Sequence, residues 1–399
     1  MIPEFRKRFN ELWTPELYTK LLSSIDEVAG THVAFRCSET PMFLPGPLLE
    51  KMVRYGRELY AQLAGNAEYR RASGEAIPAQ FRVPNETEHP LFVQADFGLV
   101  REPDGSLEPK LVEIQGFPSV YGFQTALAGQ YARVYHLCER IDSRLTTFLD
   151  DLDARGYEEL LRRAILNGHA PEEVVLLEIE PYEQKTLADF LITRKMLGIK
   201  IACITEVRKQ GRKLLVDGVP VKRIYNRVIV DELVRKNICS NFRLTDDVDV
   251  EWAGHPNWFF RLSKFSLPWF QHVSVPETHF LSDVERIPEN LDDYVLKPLY
   301  SFAGLGVKIG PSRQEIEAIA ANERQNFILQ RKMDFVPTIE TPSGMTKAEI
   351  RIMYVWDAGE LKPATTVIRT GRGKMMGVDF NKELDWVGAS AGFHVREAE

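Results

Sequence analysis

Two runs, LFVQADFGLV at 91–100 and PKLVEIQGF at 109–117, bracket the turn residues Pro103-Asp104-Gly105-Ser106. No other feature restricts the fold as much. Alternating character on both sides of a Pro/Asp/Gly turn predicts an antiparallel hairpin with one buried face. With the hairpin centre between Asp104 and Gly105, facing residues have numbers that sum to 209, so Asp96 faces Glu113. Gln115 follows on the same face. Directly opposed carboxylates repel unless a cation sits between them. An oxygen-only set of Asp96, Glu113 and Gln115 suits Mg²⁺, which takes few protein ligands and completes its shell with substrate phosphates. The alternative is that both acids face solvent.

The rest of the chain reads as mixed α/β. Residues 1–30 are expected to form an amphipathic helix, and Pro47 opens a second at 47–64, with Leu48, Leu49, Met52, Val53, Leu59 and Leu63 on one face. Residues 121–165 read as largely helical. From 171 the texture changes: VVLLEIE, EQKTLADFLITRKMLGI and KIACITEV spell strand, helix, strand, a β-α-β unit. KLLVDGVPV and RIYNRVIV add strands, the first around an Asp217-Gly218 turn. Residues 257–275 are aromatic and partly helical. Beyond 294 come hairpins, a helix near 312–322, and four C-terminal runs separated by glycine turns. Three segments result: 1–170, 171–250 and 251–399.

Four further constellations carry possible chemistry. YVLKPLYSFAGLGVKI at 294–309 places Lys297 before a loop holding Ser301, Gly304 and Gly306. The loop runs from strand into strand, unlike a Rossmann or Walker loop, which runs into a helix. Its glycines permit close approach of backbone to phosphate; a plain turn with a surface lysine is the alternative. VIRTGRGKMMGV gathers Arg369, Arg372 and Lys374 around two glycines, an anion clamp or a solvated basic turn. NWFFRLSKFSLPWF holds Lys264 in an apolar stretch, where it either snorkels or reaches a phosphate. FILQRKMDF ends an apolar strand in Gln330-Arg331-Lys332, read as a strand leaving the core or as an edge offering backbone groups to adenine. No G-x-S-x-G or H-E-x-x-H occurs, and His136, His255 and His272 read as structural.

Composition removes several classes. Fifty basic against 57 acidic residues give a net charge of −7, so no basic excess points to nucleic acid. The four cysteines, Cys37, Cys138, Cys203 and Cys239, make no C-x-x-C pair and read as reduced thiols of a cytoplasmic protein. The N-terminus lacks the apolar core of a signal peptide, and no run is long enough to span a membrane.

Taken together, these segments resemble the circularly permuted ATP-grasp family, as in the synthetase domain of glutathionylspermidine synthase. QADFGLV…KLVEIQGFPS is similar to the family's R-x-D…E-x-N segment, which puts Asp96, Glu113 and Gln115 at Mg²⁺ ligands. RLSKFSLPWF is similar to N-K-x-x-x-L-x-x-L, which makes Lys264 a nucleotide-contacting lysine. YVLKPLYSFAGLGV resembles the K-P…G-x-x-G-x-x-V loop, with Lys297 as second lysine and 301–306 over the phosphates. NFILQR resembles the y-I-v-Q-E hinge, with Gln330, and Lys332 beyond it, at the adenine.

The resemblance covers roughly 90–399 in permuted order, carboxylate strands before lysines. Gln94 stands where the family has arginine and Gln115 where it has asparagine, leaving Arg369, Arg351 or Arg227 to supply the missing charge. The resemblance implies an ATP-grasp fold with a small pre-ATP-grasp-like α/β unit at 171–250, and residues 90–120 sharing a sheet with 345–399. It also implies ATP and Mg²⁺ as cofactors and small-molecule or peptide carboxylate and amine (or thiol) substrates, joined through an acyl phosphate steadied by Arg369 and Arg351. A kinase that stops at the phosphorylated product and a non-catalytic nucleotide-binding protein are the alternatives. The glycine- and aromatic-rich segments 116–124 and 386–395 are the expected substrate walls.

Overall fold

The computed structural model describes all residues except 301–304, 374–375, 377–380, 382 and 397–399. Its backbone frame is an eight-stranded sheet. The path across it runs Met42–Phe43, Gly388–Val395, Glu360–Gly371, Gly344–Asp357, Phe92–Arg101, Leu107–Gln115. The hairpin strand Phe92–Arg101 lies antiparallel to Gly344–Asp357, with Asp96 opposite Arg351 and Phe97 opposite Ile350. Segments some 250 residues apart in sequence therefore share one sheet, as the permuted order implied.

The hairpin closes differently from the simplest expectation. Gly105, at φ 87, donates to Glu102 O at 2.9 Å, and Glu102 donates to Ser106 O at 3.0 Å. This is a three-residue turn centred on Asp104. Near it Phe97 faces Leu111 and Arg101 faces Leu107. A bulge between Asp96 and Phe97 then shifts the register, so Asp96 faces Glu113 and Val112 has no partner on the facing strand. The expected acid pair forms, but through a bulge.

Side chains alternate across these strands. Ala95, Phe97, Ile350, Ile352 and Ile368 turn to one face and pack on Leu49, Met52 and Leu59 of the helix Gly46–Gly65. The approach is close at Gly56, where an added Cβ would stand 2.1 Å from Tyr354 Oη. The intervening residues Asp96, Glu349, Arg351 and Arg369 take the opposite face.

A second sheet is all parallel, in the order Glu251–Ala253, Arg223–Asn226, Val174–Glu178, Lys200–Cys203. The helix Leu187–Leu197 makes the crossover between the last two, giving the expected β-α-β unit. Asp217 and Gly218, both at positive φ, turn the hairpin Lys213–Val216 / Val219–Val221 in a separate three-stranded sheet. The fourth sheet is antiparallel, in the order Thr278–Phe280, Phe327–Arg331, Tyr294–Pro298, Lys308–Ile309.

Three expectations need correction. Residues 1–30 form two helices, Pro3–Leu12 and Pro15–Ala29, because Thr14 caps Leu17 N and Pro15 restarts the helix. The helix near 312–322 is only Arg313–Glu317. The run 386–395 is no cavity wall: Gly388–Val395 lies between Glu360–Gly371 and Met42–Phe43, and Trp386 packs on Trp13.

Candidate functional site

The sheet face carrying Asp96 floors a cavity of about 950 Å³, which the parallel sheet and the fourth sheet wall on other sides. Asp96, Glu113, Gln115, Lys264, Lys297, Gln330, Lys332, Arg351 and Arg369 all line it. Gly306 does not line it among the described residues; it holds φ +73 against Pro298. Ser301 and Gly304 lie outside the described residues, as does Lys374. The loop does run from strand into strand, since Val295 and Leu296 pair with Ile309 and Lys308.

Register alone brings the floor together. Arg351 sits directly across from Asp96 and donates to both its oxygens, Nε at 2.6 Å and Nη2 at 2.7 Å, a bidentate charged pair. Glu349 sits across from Arg369 and accepts from its Nη1 at 2.8 Å, while Arg369 Nη2 reaches Asp96 at 3.0 Å. Arg351 Nη1 donates to Gln94 Oε1 at 2.8 Å. With its amide oxygen turned toward it, Gln115 accepts from the same guanidinium at 2.8 and 3.0 Å.

The two lysines arrive from elsewhere. Ser263 caps Phe265 N and starts the 3₁₀ turn Lys264–Trp269. Gly116 N bonds Leu262 O at 3.0 Å, tying that turn to the end of the hairpin. Lys264 Nζ thereby stands 3.4 Å from Glu113 Oε2. Lys297 Nζ donates to Gln330 Oε1 at 2.6 Å and to Val112 O at 3.3 Å, the carbonyl of the bulge residue. Bulges often re-aim groups beside functional sites.

Four cations thus meet three carboxylates. Burial pushes the Glu113 carboxyl up, but Lys264, Arg351, Arg369 and Lys297 together outweigh it and hold it at about 2. Burial raises Glu349, and Asp96 and Glu113 beside it raise it further against the pull of Arg369 and Arg351. Burial lowers Lys297 to about 8, with Lys264 adding to the drop and Glu113 opposing it. Arg369 stays charged, since its burial is more than offset by Glu349, Asp96 and Glu113.

Other expectations fare differently. Gln330 is not on an edge: Phe327–Arg331 is paired on both sides, and the Gln330 amide is taken by Lys297 and by Thr278 Oγ1 at 2.9 Å. Just past the end of the strand, Lys332 N donates to the Asp293 carbonyl at 2.7 Å. The basic glycine turn also splits. Arg369 is a strand residue facing Asp96, whereas Arg372 leaves to Thr346 and the Asp385 carbonyl. Residues 116–124 do reach the cavity, through Phe117 and Ser119. Glu349 and Glu178 line the cavity without having been singled out in the sequence. Glu349 was readable, as the acid two residues before Arg351 in an alternating strand. Nothing in VVLLE marked Glu178, whose burial pushes it to about 8.

Among the described residues no group of three His, Cys, Asp or Glu side chains is set up to hold a metal, and no helix is long and apolar enough to cross a membrane. The fold is similar to that of a glutathione synthetase-like effector from Globodera pallida, solved in its apo form. The similarity has a TM-score of 0.60, covers 96% of this chain and 98% of that one, and comes at 13% sequence identity. No family model matches the chain, and no curated protein does.

Proposed function

We propose that the chain is an ATP- and Mg²⁺-dependent carboxylate–amine (or –thiol) ligase of circularly permuted ATP-grasp type. In this reading the 1–170 and 251–399 segments build the ATP-grasp core and lid, and 171–250 is the small α/β unit packed beside them. The observation that carries the reading is the convergence of Lys264, Lys297, Arg351 and Arg369 on one cavity floor beside Glu113. The likeness to a glutathione synthetase-like fold supports it.

A magnesium ion that arrives with the triphosphate needs only one or two protein oxygens. Glu113 fits that need, because its contacts to Lys264 at 3.4 Å and Arg351 at 3.9 Å are longer than charge-assisted hydrogen bonds. Gln115 suits it less, since its amide oxygen already accepts from Arg351. Asp96 fits less well, since Arg351 and Arg369 engage both its oxygens. Bound Mg²⁺ would neutralise charge on the transferred phosphoryl group.

Lys264 and Lys297 then hold phosphates as point charges, and the backbone beyond Gln330 flanks the adenine. An acid's carboxylate oxygen attacks the γ-phosphorus and ADP leaves; an amine or thiol attacks the acyl carbon and phosphate leaves. Arg369 and Arg351 hold the charge that develops in the first step, which is catalysed mostly by positioning and neutralisation. No cysteine or histidine lines the cavity among the described residues, in keeping with a reaction between bound substrates.

Calorimetric titration of ATP, with and without Mg²⁺, tests the reading. Mg²⁺-dependent binding in the wild type, lost in an Asp96→Ala/Glu113→Ala double variant, is the expected result. Absence of nucleotide binding would overturn it. ADP release is then screened against acids with and without amines. The Asp96–Arg351 pair and Gln94 favour one second reading, a nucleotide-binding protein without turnover, and ADP release under any mixture would exclude it.

A further inference from the structure

Opposite the cation floor, the parallel sheet offers a fifth cation that the nucleotide reading does not use. Arg227 follows the strand Arg223–Asn226, is 3% exposed, and lines the cavity with Phe117 and Ser119. Its guanidinium stands 5.1 Å from the centre of the Phe190 ring and 5.9 Å from that of Phe117. Nη1 donates to Asp189 Oδ2 at 2.8 Å, and the buried Nε has no hydrogen-bond partner.

Asp189 does not cancel this charge. Its other oxygen accepts from Gly122 N at 2.9 Å and Phe123 N at 3.0 Å, the start of the helix Tyr121–Tyr135. One carboxylate therefore serves a guanidinium and a helix N-terminus, whose dipole is equivalent to roughly half a positive charge. Glu183 and Glu232 also line this wall, with Lys185 beside them, so what singles Arg227 out is its buried, ring-flanked placement rather than the net charge around it. Glu178 lines it too; its Oε1 accepts from Ile179 N at 2.7 Å, and burial raises the carboxyl to about 8, so near neutral pH it has an O–H to offer. A fixed cation, a protonated carboxyl and the Ser119 hydroxyl all suit an anion, and two aromatic rings hold the cation in place.

The loop 116–120 joins this wall to the floor. Ser119 O accepts from Gln94 Nε2 at 3.1 Å, and Gln94 in turn accepts from Arg351. An acid bridging the two places would present one anionic group to the floor and another to Arg227.

We infer that Arg227 is a substrate-binding residue that receives a second carboxylate, so that the acid substrate is a dicarboxylic acid whose far end docks between Phe117, Ser119 and Glu178. This rests on the ligase reading for the reacting end only.

The test uses the full chain loaded with Mg²⁺ and a non-hydrolysable ATP analogue. Malonate, succinate, glutarate and adipate are titrated calorimetrically beside monocarboxylates of equal length. At least one diacid is expected to bind about tenfold tighter than its monoacid, as one charge-assisted contact provides. That advantage should vanish in Arg227→Met/Asp189→Asn, where asparagine keeps the cap on Gly122 and Phe123, while analogue affinity stays within about twofold. No diacid advantage in the wild type, or an advantage that survives in the double variant, overturns the inference. Loss of analogue binding in the wild type would instead strike the ligase reading. Should the double variant fail to fold, the Arg227 Nε–H resonance of the wild type serves. A saturable shift with diacids and none with monoacids supports the site, and no shift overturns it.

Discussion

Lys297→Met separates what the buried lysine does for binding from what it costs in stability. Lys297 is 7% exposed, and burial lowers it from 10.5 to about 8. At about 1.36 kcal/mol per tenfold change, holding it charged in the fold costs roughly 3 kcal/mol. Methionine keeps the length and removes that cost, but leaves the Gln330 oxygen without its 2.6 Å donor, a loss of about 1–3 kcal/mol. The net change at pH 7 is therefore between about zero and 2 kcal/mol of added stability. Because the folded pKa lies below the unfolded one, the wild type gains stability as pH rises from about 8 toward 10.5. The variant loses that rise, so the two stability-against-pH curves from urea denaturation should cross, with the wild type ahead by about 1–3 kcal/mol above pH 10.5. Affinity moves the other way: one charge-assisted phosphate contact, about 1.5–3 kcal/mol, predicts Mg-ATP binding weaker by about 10- to 150-fold. Unchanged nucleotide affinity would sink the phosphate role of Lys297. A variant less stable by more than about 2 kcal/mol at pH 7 would refute the burial argument.

Glu113→Gln removes the carboxylate between Lys264 and Arg351; thermal melts should show a loss of about 2–4 kcal/mol, and calorimetry should show nucleotide binding that no longer depends on Mg²⁺. Burial raises Glu178 from 4.5 to about 8, so the folded chain holds a proton there that the unfolded chain releases, and stability falls across that window; Glu178→Gln should match the wild type near pH 4 and exceed it at pH 9 in denaturant titrations. Gly56→Ala forces a Cβ to within 2.1 Å of Tyr354 Oη and breaks its 2.8 Å bond to Val53 O, so its melting temperature should drop by the equivalent of about 2–3 kcal/mol. Gly129→Ala, on an exposed turn of the helix Tyr121–Tyr135 with nothing within 4 Å of the new methyl, should gain about 0.5–1 kcal/mol.

The parts of the site written in strand periodicity were legible, and those that depend on which strands become neighbours were not. Asp96 and Glu113 could be paired from the hairpin alone, although the bulge at Val112 that actually sets their register leaves no mark in the sequence. That bulge frees the carbonyl Lys297 uses, so the lysine was identified but its partner was hidden. Arg351 and Arg369 belong to strands joined by one tight hairpin, yet their common target, Asp96, lies about 250 residues away. Only a sheet order could reveal that meeting. Gln330 shows the opposite failure: an apolar strand ending in polar residues looks the same whether it is an edge or the middle of a sheet, and here it is flanked on both sides.

The charge balance of the floor explains how so polar a face can stay folded with positive charge to spare. Lys264, Lys297, Arg351 and Arg369 supply four positive charges; Asp96 and Glu113 return two negative ones. Glu349 is the carboxyl that burial and its two acidic neighbours push toward neutrality. Four cations against three carboxylates leave the floor an excess of positive charge, which suits the roughly two negative charges of a magnesium-bound triphosphate. Free ATP brings about twice that charge and would leave the cavity negative, where low dielectric makes the imbalance expensive. In the ligase reading, a magnesium ion on Glu113 would restore the match without breaking the Asp96–Arg351 pair. Removing either carboxylate unbalances the whole floor, because Asp96 and Glu113 each face more than one cation.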